Sequence, residues 1–179
     1  MLPPAPDPFD RVTLWSSSSF RADDWPEWPL FVFEYEELAA HCDAALDARR
    51  ASYPELINRG ILPEREAAGD IRGWELLAGE WRWIVGGADA DGAAMPPAGT
   101  LTDRRAAVEL ALERIRQRFD GGDRRHDLYR QTHLNLALRW HLGRLRGNAP
   151  AVHHYAALSR QLRDEAAGRA DRPTERSAA

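Results

Sequence analysis

The stretch YPELINRGILPEREAAGDIRGWELLAGEWRWIV, residues 53–85, decides the fold. Gly60 and Pro63 punctuate it. A glycine adopts the left-handed conformation that ends a helix, and a proline fits a first helical turn, where its missing N–H is not needed. Glu64 and Glu66 follow and complement the positive end of a helix dipole. Ala67, Ile71, Trp74, Ala78, Trp81 and Val85 then recur at four- and three-residue intervals, an apolar stripe along one helix face. Upstream, Leu38, Cys42, Ala45, Leu46, Tyr53 and Leu56 form a matching stripe over residues 36–59. Pro54 is expected to kink or restart that helix, because it offers no N–H to the preceding turn. Two helices joined across residues 59–62 have little choice but to lie antiparallel. The spacing predicts an α-hairpin over residues 36–85.

Working outward, residues 86–100 (GGADADGAAMPPAG, then Thr100) have the composition of a flexible linker. Thr102 is expected to cap a helix running to about Phe119, with Val108, Ala111, Leu112, Ile115 and Phe119 inward. The DGGD of residues 120–123 is a turn, and residues 124–146 form a long helix striped by Leu134, Leu138, Leu142 and Leu145. Residues 147–150 break it. A last helix covers 151–167, with Val152, Tyr155, Leu158 and Leu162 as its expected inner face, and residues 168–179 read as a disordered tail. Residues 1–35 make an irregular arm rich in Pro and Trp, in which 11–15 and 30–35 have the β-branched and aromatic content of short strands. The fold class is therefore all-α: an N-terminal antiparallel α-hairpin, a C-terminal three-helix unit over 101–167, and the arm.

The pattern Tyr53-Pro54-x-Leu56-Ile57-x-x-Gly60-x-Leu62, followed by Ala67, Ile71 and Trp74, resembles an α-hairpin found in small uncharacterised phage and prophage proteins. The resemblance spans residues 48–83. It implies a mobile-element origin and no activity, and it transfers no functional residue. The arm and the whole C-terminal half depart from it.

With 44% apolar and 29% charged residues in 179, the chain can fill a core and remain in water. No apolar run approaches the roughly 20 residues that cross a bilayer. Residues 1–10 lack the basic-then-apolar order of a signal peptide. With Cys42 alone, no intramolecular disulfide forms. The expectation is a cytoplasmic protein without membrane contact.

All 24 basic residues are Arg. A GC-rich coding sequence produces that bias, and so does a need for bidentate contacts to phosphate or carboxylate; distribution separates the two. Residues 1–100 hold 8 Arg against 18 acidic residues, net -10, and residues 101–179 hold 16 against 10, net +6. Such asymmetry marks either a polyanion-binding half or two halves that attract each other. On the first reading Arg104, Arg105, Arg125, Arg139 and Arg146 are the phosphate contacts. On the second their heads lie along the chain's own surface.

No catalytic or metal constellation emerges. His126, His133 and His141 share one helix face, but steps of seven and eight residues set neighbours about 10–12 Å apart. Ligands of one metal ion must converge to about 2 Å from it. His153 and His154 diverge by about 100°. Cys42 lies on an apolar stripe, where a thiol behaves as a small hydrophobe, and the adjacent His41 points elsewhere. Asp89-x-Asp91-Gly92 lacks the further ligands of a calcium loop. Glu34, Glu36, Glu37, Glu64, Glu66 and Asp70 read as a solvated face. No cofactor is expected. Leu76 and Trp83 stand out on the hairpin's second face, opposite the main stripe, where a surface helix should be polar. Either the C-terminal helices cover them, or they anchor a protein partner or a second copy. The favoured function is a non-enzymatic protein-interaction module, with nucleic-acid binding as the alternative.

Overall fold

The computed structural model describes residues 29–170 apart from 98, 124 and 145–147. Five helices follow one another: α1 (Tyr35–Asn58), α2 (Glu64–Gly86), α3 (Leu101–Asp120), α4 (His126–Arg144) and α5 (Ala149–Ala170). The described residues contain no strand, so the protein is all-α. Residues 1–28, with the segment 11–15 expected to be extended, lie outside the described part. Residues 30–33, also expected as a strand, form a turn closed by Glu34 N–H to the Phe31 carbonyl at 3.0 Å. Among the described residues no strand offers an edge to pair with, and Phe31 adopts φ 65°, outside the extended region.

α1 ends as its sequence dictates. Gly60 has φ 68°; its N–H bonds the Ile57 carbonyl and the Ile61 N–H bonds the Leu56 carbonyl, both at 2.9 Å. That pair of bonds is a Schellman cap. Pro63 sits just ahead of α2 at ψ 135°, so α2 starts at Glu64. Pro54 does not divide α1, which is continuous through Asn58. Pro54 and Arg50 are both exposed, so water can reach the carbonyl that loses its N–H partner. α1 and α2 run antiparallel: Tyr53 meets Asp70, Arg50 meets Glu75 and Asp43 meets Arg82 in order.

α2 is the central helix, touching α1, α3 and α5. Its buried residues include Ala67, Asp70, Trp74, Leu77, Ala78, Trp81 and Ile84, while Ile71 and Val85 are half-buried. Against α3 it packs through Gly73, where a Cβ would come within 2.6 Å of Ala107 Cβ and 3.0 Å of the Asp103 carbonyl oxygen. One hydrophobic cluster draws on all five helices, from Leu38 and Trp74 to Val108, Leu138 and Val152. A smaller cluster of Ile115, Phe119 and Leu128 lies between α3 and α4.

Residues 94–97 lie along α2, where Ala94 N–H bonds the Gly79 carbonyl at 3.0 Å. Buried Thr100, not Thr102, precedes α3; its hydroxyl donates to the Pro97 carbonyl at 2.8 Å, and Thr102 is exposed in the first turn. α4 is buried more widely than a leucine stripe, taking in Leu128, Thr132, His133 and Asn135 as well as Leu134, Leu138 and Leu142; Leu145 lies outside the described residues. α5 starts before and ends after the expected 151–167, with Pro150 in its first turn. Its rotation differs too. Ala149, Val152 and Ala156 face the core, whereas Tyr155, Leu158 and Leu162 are 53%, 43% and 53% exposed. The expected inner face is thus turned by about 100°. Small alanines let α5 lie close to α2, and polar anchors described below fix the turn. Residues 168–170, expected in the tail, continue α5; residues 171–179 lie outside the described part.

Candidate functional site

Carboxylates expected in solvent turn out to organise the interior. Asp70 is buried on α2, and three donors from two other helices converge on its Oδ2: Arg49 Nε at 3.1 Å, Arg114 Nη1 at 2.7 Å, and the Tyr53 hydroxyl in a short hydrogen bond. Arg114 Nη1 also donates to the Tyr53 oxygen at 2.5 Å. The Arg49 guanidinium lies over the Trp74 ring, 4.3 Å from its centroid. Burial, then the bond to Asp70, pushes the Tyr53 phenol above its usual pKa. The arrangement ties α1, α2 and α3 at one point. A second buried pair, Arg104 Nη1 to Glu80 Oε1 at 2.5 Å, ties α2 to α3 again. Burial raises the Glu80 pKa, against the opposing pull of Arg104.

The arginines assigned to phosphate are placed as follows. Arg104 is buried on Glu80 and cannot meet a ligand, because α2 and α3 enclose it. Arg105 donates to the Leu142 carbonyl through Nε at 3.2 Å and Nη2 at 2.7 Å, satisfying an acceptor at the end of α4. Arg125 grips Asp123 through two side-chain bonds of 3.1 Å, and Arg139 lies 3.7 Å from Glu109. Arg146 lies outside the described residues. Other arginines reach across the chain: Arg114 to Asp70, Arg130 to Glu37, and Arg160 and Arg163 to Glu36. Glu36 and Glu37, expected as a solvated face, are thus partners of the basic half, and Asp70 is interior. The two halves attract each other.

The imidazoles of His133 and His141 are interior, whereas His126 and His154 are exposed. His133 and His141 are buried, and desolvation brings each pKa from 6.5 to about 4; the same holds for His41. His141 Nε2 lies 2.8 Å from the Val32 carbonyl, an acceptor, so Nε2 carries the proton. Its ring packs edge-on against Trp81 and Trp140. Cys42 is fully buried, and burial raises its thiol pKa well above the usual value. Neutral, enclosed rings and a protonated thiol are poor nucleophiles or bases for an external substrate. Among the described residues no three His, Cys, Asp or Glu side chains gather as metal ligands.

Leu76 and Trp83 find partners in the chain itself. Trp83 packs on His153 of α5, ring centroids 4.9 Å apart, and His153 Nδ1–H donates to the Ile84 carbonyl at 2.7 Å. Leu76 is half-buried in a groove of about 170 Å³ shared with Met95, Pro96 and Pro97. α5 therefore meets Trp83, as the first alternative required, whereas Leu76 lies against residues 95–97 and not against a C-terminal helix. Arg160 Nη2 donates to the Val85 carbonyl at 2.5 Å and, with Arg163, holds Glu36. These contacts clamp α5 by its polar edge and leave Tyr155, Leu158 and Leu162 outward. Apolar periodicity alone places those three in the core; the signal for the opposite rotation is the small Ala149–Val152–Ala156 face. Comparison with family models, curated proteins and solved structures finds no match.

Proposed function

We propose that the chain is a non-enzymatic protein-interaction module that presents the outer face of α5 to its partner. The observation that carries this is the row Tyr155, Leu158 and Leu162, three large apolar side chains exposed on one helix face. Other exposed apolar residues, such as Ile61 and Leu110, stand on other elements, and single exposed hydrophobes need no explanation. A helix that turns alanines inward and Tyr and Leu outward reverses the usual order, and a contiguous apolar patch of that kind marks an interaction site. Buried, neutral His133 and His141 and buried Cys42 support the non-enzymatic reading. A single enclosed thiol and described helices too polar to cross a bilayer fit work in the cytoplasm.

The test is site-specific photo-crosslinking in cells of the natural host. A benzophenone side chain at position 158 should give a discrete adduct, lost when Leu162→Asp is added. The same probe at Leu110 on α3 should give none. A chain that forms no adduct at 158 has no partner on this face.

A further inference from the structure

Resting on the interaction reading above, we infer that the occupant of the α5 face is a second copy of this chain, paired antiparallel with Leu158 at the two-fold axis. The row is half-buried Ala151 followed by exposed Tyr155, Leu158, Leu162 and Ala166, spaced four, three, four and four residues apart. The spacing averages 3.75 residues, close to one helical turn, so the row stays on one face of α5. The order of sizes is small, large, large, large, small. It is nearly the same read in either direction from Leu158. A two-fold contact requires such a row, because each patch must be complementary to itself. Antiparallel pairing sets Tyr155 of one copy beside Leu162 of the other, and the Ala151 end beside the Ala166 end.

The direction also suits the polar border of the row, which carries the His154 imidazole near one end and the Glu165 carboxylate near the other, with Gln161 between them donating to Glu165 at 2.9 Å. Antiparallel pairing brings the His154 end of each helix towards the Glu165 end of its partner and opposes the two helix dipoles. Parallel pairing would stack like on like. Arg160 and Arg163, which would repel across the axis, are held to the other side by Glu36. The row from 151 to 166 is about 22 Å long. One helix face of that length covers less than the roughly 800 Å² per partner of a standard interface, which makes the dimer weak and concentration-dependent.

Sedimentation equilibrium of the intact chain tests it. The mass should rise with concentration from the 20.2 kDa monomer towards twice that value. Leu158→Asp, at an exposed position, should leave the circular dichroism melt unchanged and weaken association by about tenfold or more. Under mild oxidation Leu158→Cys should form a symmetric disulfide dimer, and Leu162→Cys should not, since position 162 faces 155 of the partner. A monomer at every soluble concentration overturns the inference, and so does equal crosslinking at 158 and 162. Photo-crosslinking separates this from the broader reading. An adduct at position 158 of a mass other than two chains removes the self-pairing and leaves the interaction module, whereas no adduct removes both.

Discussion

Replacing His133 by Leu should make the protein no less stable at neutral pH and markedly more acid-resistant. His133 is wholly buried on α4, no protein group bonds either ring nitrogen, and the Tyr129 ring lies against it with centroids 4.4 Å apart. Burial brings its pKa from 6.5 to about 4. The sign follows from linkage. Above pH 6.5 the ring is neutral folded and unfolded, and contributes no pH dependence. Between 6.5 and 4 the unfolded chain takes up a proton that the folded chain refuses, so stability falls as pH falls. Near pH 5 that loss is about 2 kcal/mol, and it levels off below pH 4 at about 3 kcal/mol. At pH 7 the substitution relieves two unbonded polar atoms, worth roughly 1–3 kcal/mol, against a shape change costing less than about 1.5 kcal/mol. Urea midpoints followed by tryptophan fluorescence at pH 7 and pH 5 measure both effects. The gap between variant and wild type should widen by about 2 kcal/mol from pH 7 to pH 5. A variant that loses stability at pH 7, or a gap equal at both pH values, would refute the picture of a bare neutral ring.

Asp70→Asn should cost about 3 kcal/mol in the same denaturation assay, because Arg49, Arg114 and Tyr53 lose their common anionic acceptor inside the fold; a loss below about 1 kcal/mol would place the network in solvent. Gly73→Ala should lower the thermal midpoint despite alanine's better helix propensity. Its Cβ meets Ala107 Cβ at 2.6 Å and the α3 backbone at 3.0 Å, a clash of about 1–3 kcal/mol, and an unchanged midpoint would mean that α3 does not approach so closely. The intact chain should show no affinity for duplex DNA or heparin at about 0.15 M salt, because arginines of its basic half are already paired with its own carboxylates. Steep, salt-sensitive binding would restore the nucleic-acid reading.

Helix positions were largely legible because their signals are local. Gly60, Pro63 and the apolar intervals of α1 act within a turn or two, and the backbone obeys them. Rotation is a tertiary matter. On α2 the stripe positions 67, 74, 78 and 81 are buried, whereas Ile71 and Val85 are half-buried and their neighbours Asp70 and Ile84 are buried instead. The buried face contains Asp70, which a search for apolar residues steps over. A carboxylate in register with Trp74 and Trp81 was the available sign of a buried network. On α5 the larger side chains outweighed the alanines in the reading, although close packing against a central helix favours the small face.

Charge carried the site-level information, and it admitted two meanings. A net of -10 on residues 1–100 against +6 on residues 101–179 describes a polyanion binder or a molecule closed on itself. Among the described residues, ion pairs between the halves favour the second: Arg104 to Glu80, Arg114 to Asp70, Arg130 to Glu37, and Arg160 and Arg163 to Glu36. No local pattern could have revealed them, since their partners lie 24 to 127 residues apart. Their energetic weight is uneven. The enclosed pairs of Asp70 and Glu80 are costly to break, whereas the exposed pairs of Glu36 and Glu37 contribute about 1 kcal/mol at most. The Glu36 pairs matter through orientation instead. With Arg160 on the Val85 carbonyl and His153 on the Ile84 carbonyl, they choose which side of α5 faces the core. A chain that uses its arginines to hold one helix face down leaves the other, with Tyr155, Leu158 and Leu162, for contact with another molecule.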